Sequence, residues 1–211
     1  CENLKDGIPC GKCNVCKIKA TDENLDIIEI DAASNNGVDE IREIKNKATL
    51  VPVLCKYKVY IIDEVHMLSI GAFNALLKTL EEPPLHAVFI LATTEPQKIP
   101  VTIISRCQRF DFKKIPIAEI KKRLKSIAKK EEIEIDETCL LEISKISDGS
   151  LRDAIGLLDQ ANSFSNGNIT IDALYELTGN IETSKIFKLL ENLFLNDINS
   201  LIETTDELYN S

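Results

Sequence analysis

No stretch of this 211-residue chain approaches the run of about 20 apolar residues that a bilayer-spanning helix needs. No signal peptide opens it, and neither an internal repeat nor a low-complexity tract interrupts it. Positive charge is in deficit. Against 34 Asp and Glu stand 25 Lys and Arg, a formal net charge of -9, which excludes nucleic-acid binding through total charge and leaves only a local basic patch. Most consequential, no Gly-x-x-x-x-Gly-Lys-Ser/Thr loop occurs, so these residues hold no backbone cradle for nucleotide phosphates. What remains, 44% hydrophobic and 28% charged, is the composition of an ordinary soluble globular protein of one or two domains. A first residue that is Cys and an abrupt end at Ser211 read as the cut edges of a longer protein.

Four of the seven cysteines crowd the N-terminus: Cys1, Cys10, Cys13 and Cys16. Two successive C-x2-C steps bring thiolates within about 4 Å of a shared centre, as Zn–S bonds of roughly 2.3 Å require. A disulfide pair plus free thiols is the alternative. Cys55, Cys107 and Cys139 are isolated in apolar or helical contexts, which fits a reducing compartment and favours structural zinc. Four thiolates close the site, leaving no position for a catalytic water. Gly7-Ile-Pro-Cys-Gly-Lys-Cys13 mimics a phosphate loop, but it is one residue short between its glycines. Cys13 also stands where Ser/Thr would hold magnesium.

Asp26–Asp31 alternates as a strand, and Val38, Ile41, Ile44 and Ala48 follow at helical spacing. Tyr57–Ile62, apolar except for Lys58, is a run of the kind found in a parallel sheet buried on both faces. Ser69 can cap a helix carrying Phe73, Leu76, Leu77 and Leu80, which stops at Pro83-Pro84. A second buried strand, Ala87–Ala92, ends at Thr93-Thr94. A short helix near Pro100 leads to Ser105-Arg106-Cys107, and Gln108–Phe112 alternates as a third strand. Strands alternating with helices predict a parallel α/β sheet.

Beyond Ile115-Pro116 only helices are expected, at about 117–130, 136–147 and 150–164, with Asp136 and Ser150 as N-caps. Asn166-Gly167 reads as a turn, and Thr170 as the cap of a short helix. Two amphipathic helices after Gly179 carry Ile186, Phe187, Leu190, Leu193 and Phe194, then Ile198, Leu201 and Ile202. The expected organisation is a partial α/β core over 1–115, a helical domain over 116–179 and the start of a further helical region over 180–211.

Asp63 and Glu64, adjacent at the end of a buried strand, can hold two roles. The first suits magnesium, and the second can polarise a water attacking a γ-phosphate. A hydroxyl at Thr93 or Thr94, ending the neighbouring strand, can orient that water. Arg106 either reaches a neighbouring subunit's site as an arginine finger or forms a surface salt bridge. Arg152, in the first turn of a helix, either senses a γ-phosphate or pairs with Asp148 or Asp153. Lys113, Lys114, Lys121, Lys122, Arg123, Lys125, Lys129 and Lys130 face a single Glu119, forming a solvated face or a phosphate-backbone contact.

Asp63-Glu-Val-His-Met-Leu68, Ala92-Thr-Thr-Glu-Pro-Gln-Lys-Ile-Pro100, Ser105-Arg-Cys107 and Gly149-Ser-Leu-Arg-Asp-Ala154 together resemble the gamma/tau clamp-loader family of bacterial DNA polymerase III, AAA+ ATPases. The four-cysteine knuckle is similar as well. The likeness is close over about 1–179 and rests on helical character alone beyond. It implies an AAA+ core lacking its Walker A segment, a helical lid, and the start of an oligomerising collar. It also implies that ATP binding holds open a ring-shaped sliding clamp and that hydrolysis releases the clamp onto primed DNA.

Under the resemblance Asp63 and Glu64 match the Walker B pair, Thr94 with Thr93 matches sensor 1, Arg106 the trans-acting finger and Arg152 the sensor 2 arginine. Cys1, Cys10, Cys13 and Cys16 match the zinc ligands. Implied cofactors are ATP, Mg2+ and structural Zn2+. Implied partners are delta- and delta-prime-type subunits, further copies of the chain, the clamp and primer-template DNA, in the cytoplasm and away from membranes. A non-hydrolysing structural subunit and a zinc-dependent DNA-binding module are the alternatives. These residues alone are expected not to hydrolyse ATP.

Overall fold

The computed structural model describes residues 1–18, 25–165, 167–179 and 183–209, which divide into two compact units, 1–110 and 111–211. The first opens with the cysteine knuckle and a short helix, α1 (Asn14–Ile18), and continues β1 (Ile27–Asp31), α2 (Val38–Ala48), β2 (Lys58–Asp63), α3 (Ile70–Glu81), β3 (Ala87–Leu91) and α4 (Val101–Ile104). The strands form one parallel sheet in the order β1-β2-β3, with Asp31 opposite Asp63 and Ile62 opposite Leu91. Helices α2 and α3 connect β1 to β2 and β2 to β3, the connection such parallel strands require. Ile41 and Ile44 of α2 and Phe73 and Leu76 of α3 pack with Tyr60 and Ile62 to make the core. Tyr60 stacks on Phe89 at 5.2 Å between ring centres.

Two expectations change here. Coverage is one-sided among the described residues: Val88 is 39% and Ile90 47% exposed on the face opposite Tyr60 and Ile62. Gln108–Phe112 forms no strand, and Phe110 and Phe112 lie exposed. Alternation yields a strand only where a neighbour takes up the ladder hydrogen bonds, and none pairs with this segment.

Asp26 anchors the irregular segment before β2. It is fully buried and accepts backbone N–H bonds from Val53 (2.8 Å), Leu54 (2.6 Å) and Cys55 (2.8 Å). Burial alone would raise its pKa, but the three N–H donors, helped by Lys58, hold it below the ordinary carboxylate value. A depressed folded pKa means stability present at neutral pH and lost as pH falls through that value. Asp26→Ala is expected to lower stability by about 3 kcal/mol at pH 7. In denaturant titrations the gap to the parent should shrink as pH drops below about 4.

The second unit contains α5 (Ile117–Lys130), β4 (Glu134–Ile135), α6 (Glu137–Ile146), α7 (Leu151–Phe164), β5 (Asn168–Ile169), α8 (Ile171–Thr178), α9 (Thr183–Phe194) and α10 (Ile198–Tyr209). The expected caps are made by side-chain oxygens. Asp136 accepts from the Cys139 N–H (2.8 Å), Ser150 from Asp153 (3.3 Å) and Thr170 from Ala173 (3.4 Å), as Ser69 does from Ala72 (3.2 Å) in the first unit. Burial, and then the Asp136 carboxylate, push the Cys139 thiol up to about 12, so it acts as a small apolar core residue.

The unit is not purely helical, because β4 and β5 form a two-residue parallel ladder with Ile169 buried in the core. Segments this short carry no period to read. At Gly149 the backbone is left-handed (φ +87°), and a Cβ there would meet Lys114 Cβ at 2.5 Å, so the position requires glycine. The predicted turn at Asn166-Gly167 falls partly outside the described residues. Helices α9 and α10 pair with each other. Asn192 donates to the Ser200 carbonyl (3.2 Å) and Thr204 Oγ1 (3.0 Å), while Phe187, Phe194 and Ile198 remain exposed.

Candidate functional site

A parallel sheet points all its strand C-termini to one edge, so Asp31, Asp63-Glu64 and Thr93-Thr94 share that edge. Asp63 closes β2 and accepts the Glu64 N–H through Oδ1 (2.9 Å). Glu64 itself is left-handed (φ +46°, ψ +45°), a conformation that costs a non-glycine residue about 1–3 kcal/mol and persists only where its surroundings enforce it. Those surroundings are visible. Glu64 Oε2 accepts from Thr94 Oγ1 (3.0 Å) and the Thr94 N–H (3.3 Å). The pair on one strand and the hydroxyl on the next, read separately from sequence, therefore meet.

Thr93 turns elsewhere: its Oγ1 accepts the Glu95 N–H (3.0 Å) and lies 3.0 Å from His66 Nδ1. The His66 side chain is 7% exposed, with Nδ1 3.2 Å from Glu64 Oε2 and Nε2 3.2 Å from Glu95 Oε2. Glu95 also binds Lys98 Nζ at 2.6 Å, and that hydrogen bond lowers its pKa. Neither His66 nor Glu95 was found by sequence reasoning. The available signal was one polar side chain inside the apolar run Val65-His-Met-Leu68.

Arg106 engages its own chain. Its Nε donates to Glu81 Oε1 (2.8 Å), Nη2 pairs with the same oxygen, and Nη1 donates to the Thr102 carbonyl (2.6 Å). Arg152 is exposed and forms no ion pair with any described residue. Asp148, one of its two expected alternative partners, pairs with Lys114 instead. Within the basic run Lys121 and Lys125 both bind Glu137, and their hydrogen bonds pull its pKa down to about 2. Lys122, Arg123, Lys129 and Lys130 form no ion pair among the described residues.

The sulfurs of Cys1, Cys10, Cys13 and Cys16 all lie within 4.8 Å of one another, with Cys10 and Cys16 at 4.0 Å. None is in a disulfide. Backbone N–H groups of Lys12 and Cys13 point at Cys10 Sγ (both 3.4 Å), and that of Cys10 at Cys1 Sγ (3.3 Å), donors suited to thiolates. Hydrogen bonding from the Glu2 and Cys16 backbones lowers the Cys13 thiol to about 7. Soft sulfur ligands in this closed cluster fit zinc.

Paired carboxylates and a threonine hydroxyl on the carboxyl edge of a parallel sheet, followed by a helical unit, fit the AAA+ class. The fold agrees: the Thermotoga maritima RuvB Holliday junction branch migration motor matches at TM-score 0.59 and 20% identity, over 80% of this chain and 59% of that one. A DNA polymerase III gamma subunit-related protein from the same organism matches at TM-score 0.51 and 26% identity, over 91% of this chain and 64% of that one.

The family described as DNA polymerase III, delta subunit, matches residues 1–116, and the DNA polymerase III clamp loader subunit ATPase lid domain matches 119–167. DNA polymerase III subunit tau of Bacillus subtilis is 52% identical over 208 residues, 99% of this chain and 37% of its own length. The Escherichia coli tau subunit is 42% identical over 191 residues, 90% of this chain and 30% of its own. The chain thus spans about a third of the length of these relatives, and it belongs to the DNA polymerase III clamp-loader family, alongside the tau and gamma subunits.

Proposed function

We propose that the chain is part of an ATP-hydrolysing clamp-loader subunit that couples ATP binding and hydrolysis to placing a sliding clamp on primed DNA. The observation that carries this reading is the Glu64–Thr94 contact beside Asp63, since a purely structural subunit has no use for an oriented base. Asp63 would hold Mg2+, which neutralises charge on the phosphates when bound. Glu64 takes the proton of the attacking water and Thr94 orients the base, and Arg152 keeps the sensor role that the resemblance implies. The phosphate cradle is not among these residues, so the site is completed by other parts of the longer protein. Cys1, Cys10, Cys13 and Cys16 hold a structural zinc.

The proposed domain plan is an ATPase core over 1–115, a lid over 116–179 and the start of a collar from 180, where the exposed apolar residues of α9 and α10 suit packing against other subunits. Partners in this reading are delta- and delta-prime-type subunits, further copies of the chain, the clamp and primer-template DNA, in the cytoplasm. No described helix is long and apolar enough to cross a membrane. Assembling the full-length chain with its loader subunits tests the proposal. ATP-dependent clamp loading supports it, and an assembly that neither binds nor hydrolyses ATP sinks it.

The same assembly tests Arg106. A trans role requires Glu81 to release the guanidinium to a neighbour's phosphates. Arg106→Ala should then reduce turnover by about 10³-fold where this subunit faces an ATP-bound neighbour. Equal losses in the isolated subunit and the assembly would assign Arg106 to its bridge with Glu81 instead.

A further inference from the structure

His66 is the most enclosed ionisable side chain at the carboxylate edge, and no role in the reaction has so far been given to it. It sits in the one-turn helix Val65–Met67 directly after Glu64, and its ring touches Glu64 after β2 and Thr93 and Glu95 after β3. Nδ1 is hydrogen-bonded with Thr93 Oγ1 (3.0 Å) and lies 3.2 Å from Glu64 Oε2, and Nε2 lies 3.2 Å from Glu95 Oε2. A proton on either nitrogen therefore finds a carboxylate oxygen within reach.

The consequence falls on Glu64. All three polar contacts to its carboxylate, two from Thr94 and one from His66, converge on Oε2. No described residue bonds Oε1, which leaves that oxygen as the one able to take a proton. Thr94 alone approaches from one side and would let the carboxylate pivot about Oε2. A second contact from the His66 ring fixes the plane.

We propose that His66 is a positioning residue for ATP hydrolysis: with both ring nitrogens as donors, Nδ1–H holds Glu64 Oε2 so that Oε1 faces the attacking water, while Nε2–H pairs with Glu95 and fixes the ring. This rests on the ATPase reading above. A ring that merely fills space would serve equally well without its nitrogens, so the two roles separate by substitution.

In the full-length chain assembled with its loader subunits, His66→Asn places an amide nitrogen near the Nδ1 position, whereas His66→Gln reaches only toward Glu95. The expected result is a kcat loss of about 10- to 100-fold for His66→Gln, with KM for ATP changed less than about threefold, and recovery of most of kcat in His66→Asn. Equal losses in both variants that track their melting temperatures would overturn the proposal. Glu95→Gln, at a partly exposed side chain, requires no buried repacking and should lower kcat several-fold at unchanged KM; a parental kcat there contradicts the role given to Glu95. Adding His66→Gln to Glu64→Gln should lower turnover no further, and an additive loss is the contrary result. Turnover unaffected by Glu64→Gln overturns the ATPase reading itself. Turnover lost in Glu64→Gln but kept in His66→Gln overturns the positioning role alone.

Discussion

Glu64→Gln in the full-length, assembled chain is expected to lower ATP turnover by about 10²–10⁴-fold, the usual contribution of a general base. The substitution keeps the side chain's length and its Oε2-type acceptor, so Thr94 Oγ1 and the Thr94 N–H retain their partner. What disappears is the oxygen that accepts a proton. ATP affinity should therefore change less than about threefold, because an interaction used only in the transition state affects kcat without weakening ground-state binding. The variant should hold the clamp open and fail to release it, which a clamp-retention assay on primed DNA would read. Thr94→Ala should act in the same direction with a smaller loss, since it loosens the base without removing it.

Removal of the proposed zinc is expected to be the second large effect. None of residues 1–17 is buried, and the core packs around residues from Ile28 onward, so no apolar interior holds the knuckle together. The four sulfurs gather its two ends, with Gly11 in a left-handed turn (φ +67°) between Cys10 and Cys13. Structural zinc sites of this kind supply about 10–16 kcal/mol in apparent binding energy, far more than so short a segment can gain otherwise. The full-length chain should carry about one equivalent of zinc in this site. Cys13→Ser or prolonged chelation should remove it and open residues 1–17 to protease. The sheet, whose core shares no residue with the knuckle, should keep its melting transition. Less than half an equivalent of metal in the parent chain would count against the site.

Much of this architecture was legible because local chemistry wrote it. Ser69, Asp136, Ser150 and Thr170 were readable as caps since the N–H each satisfies lies three residues away. The parallel strands were readable as apolar runs between helical periods, and the cysteine cluster from its spacing. Gln108–Phe112 misled for the opposite reason: whether alternation becomes a strand depends on a partner distant in sequence. The β4–β5 ladder joins Ile135 to Ile169 across 34 residues in the same way. At the site, Asp63, Glu64 and Thr94 announced themselves by residue type at strand ends. His66, Glu95 and the Glu81 partner of Arg106 did not, because their meaning arises only when strand ends and helices come together.

Asp63, Glu64 and Thr94 are proposed to form the hydrolytic half of an ATP site. A single-turnover measurement on the preformed complex of the assembled full-length chain with Mg2+ and ATP tests it most directly, because chemistry is then separated from binding and product release. ATP bound to the Glu64→Gln chain should stay intact while the parent converts all of its own. Conversion at a rate indistinguishable from the parent would contradict it.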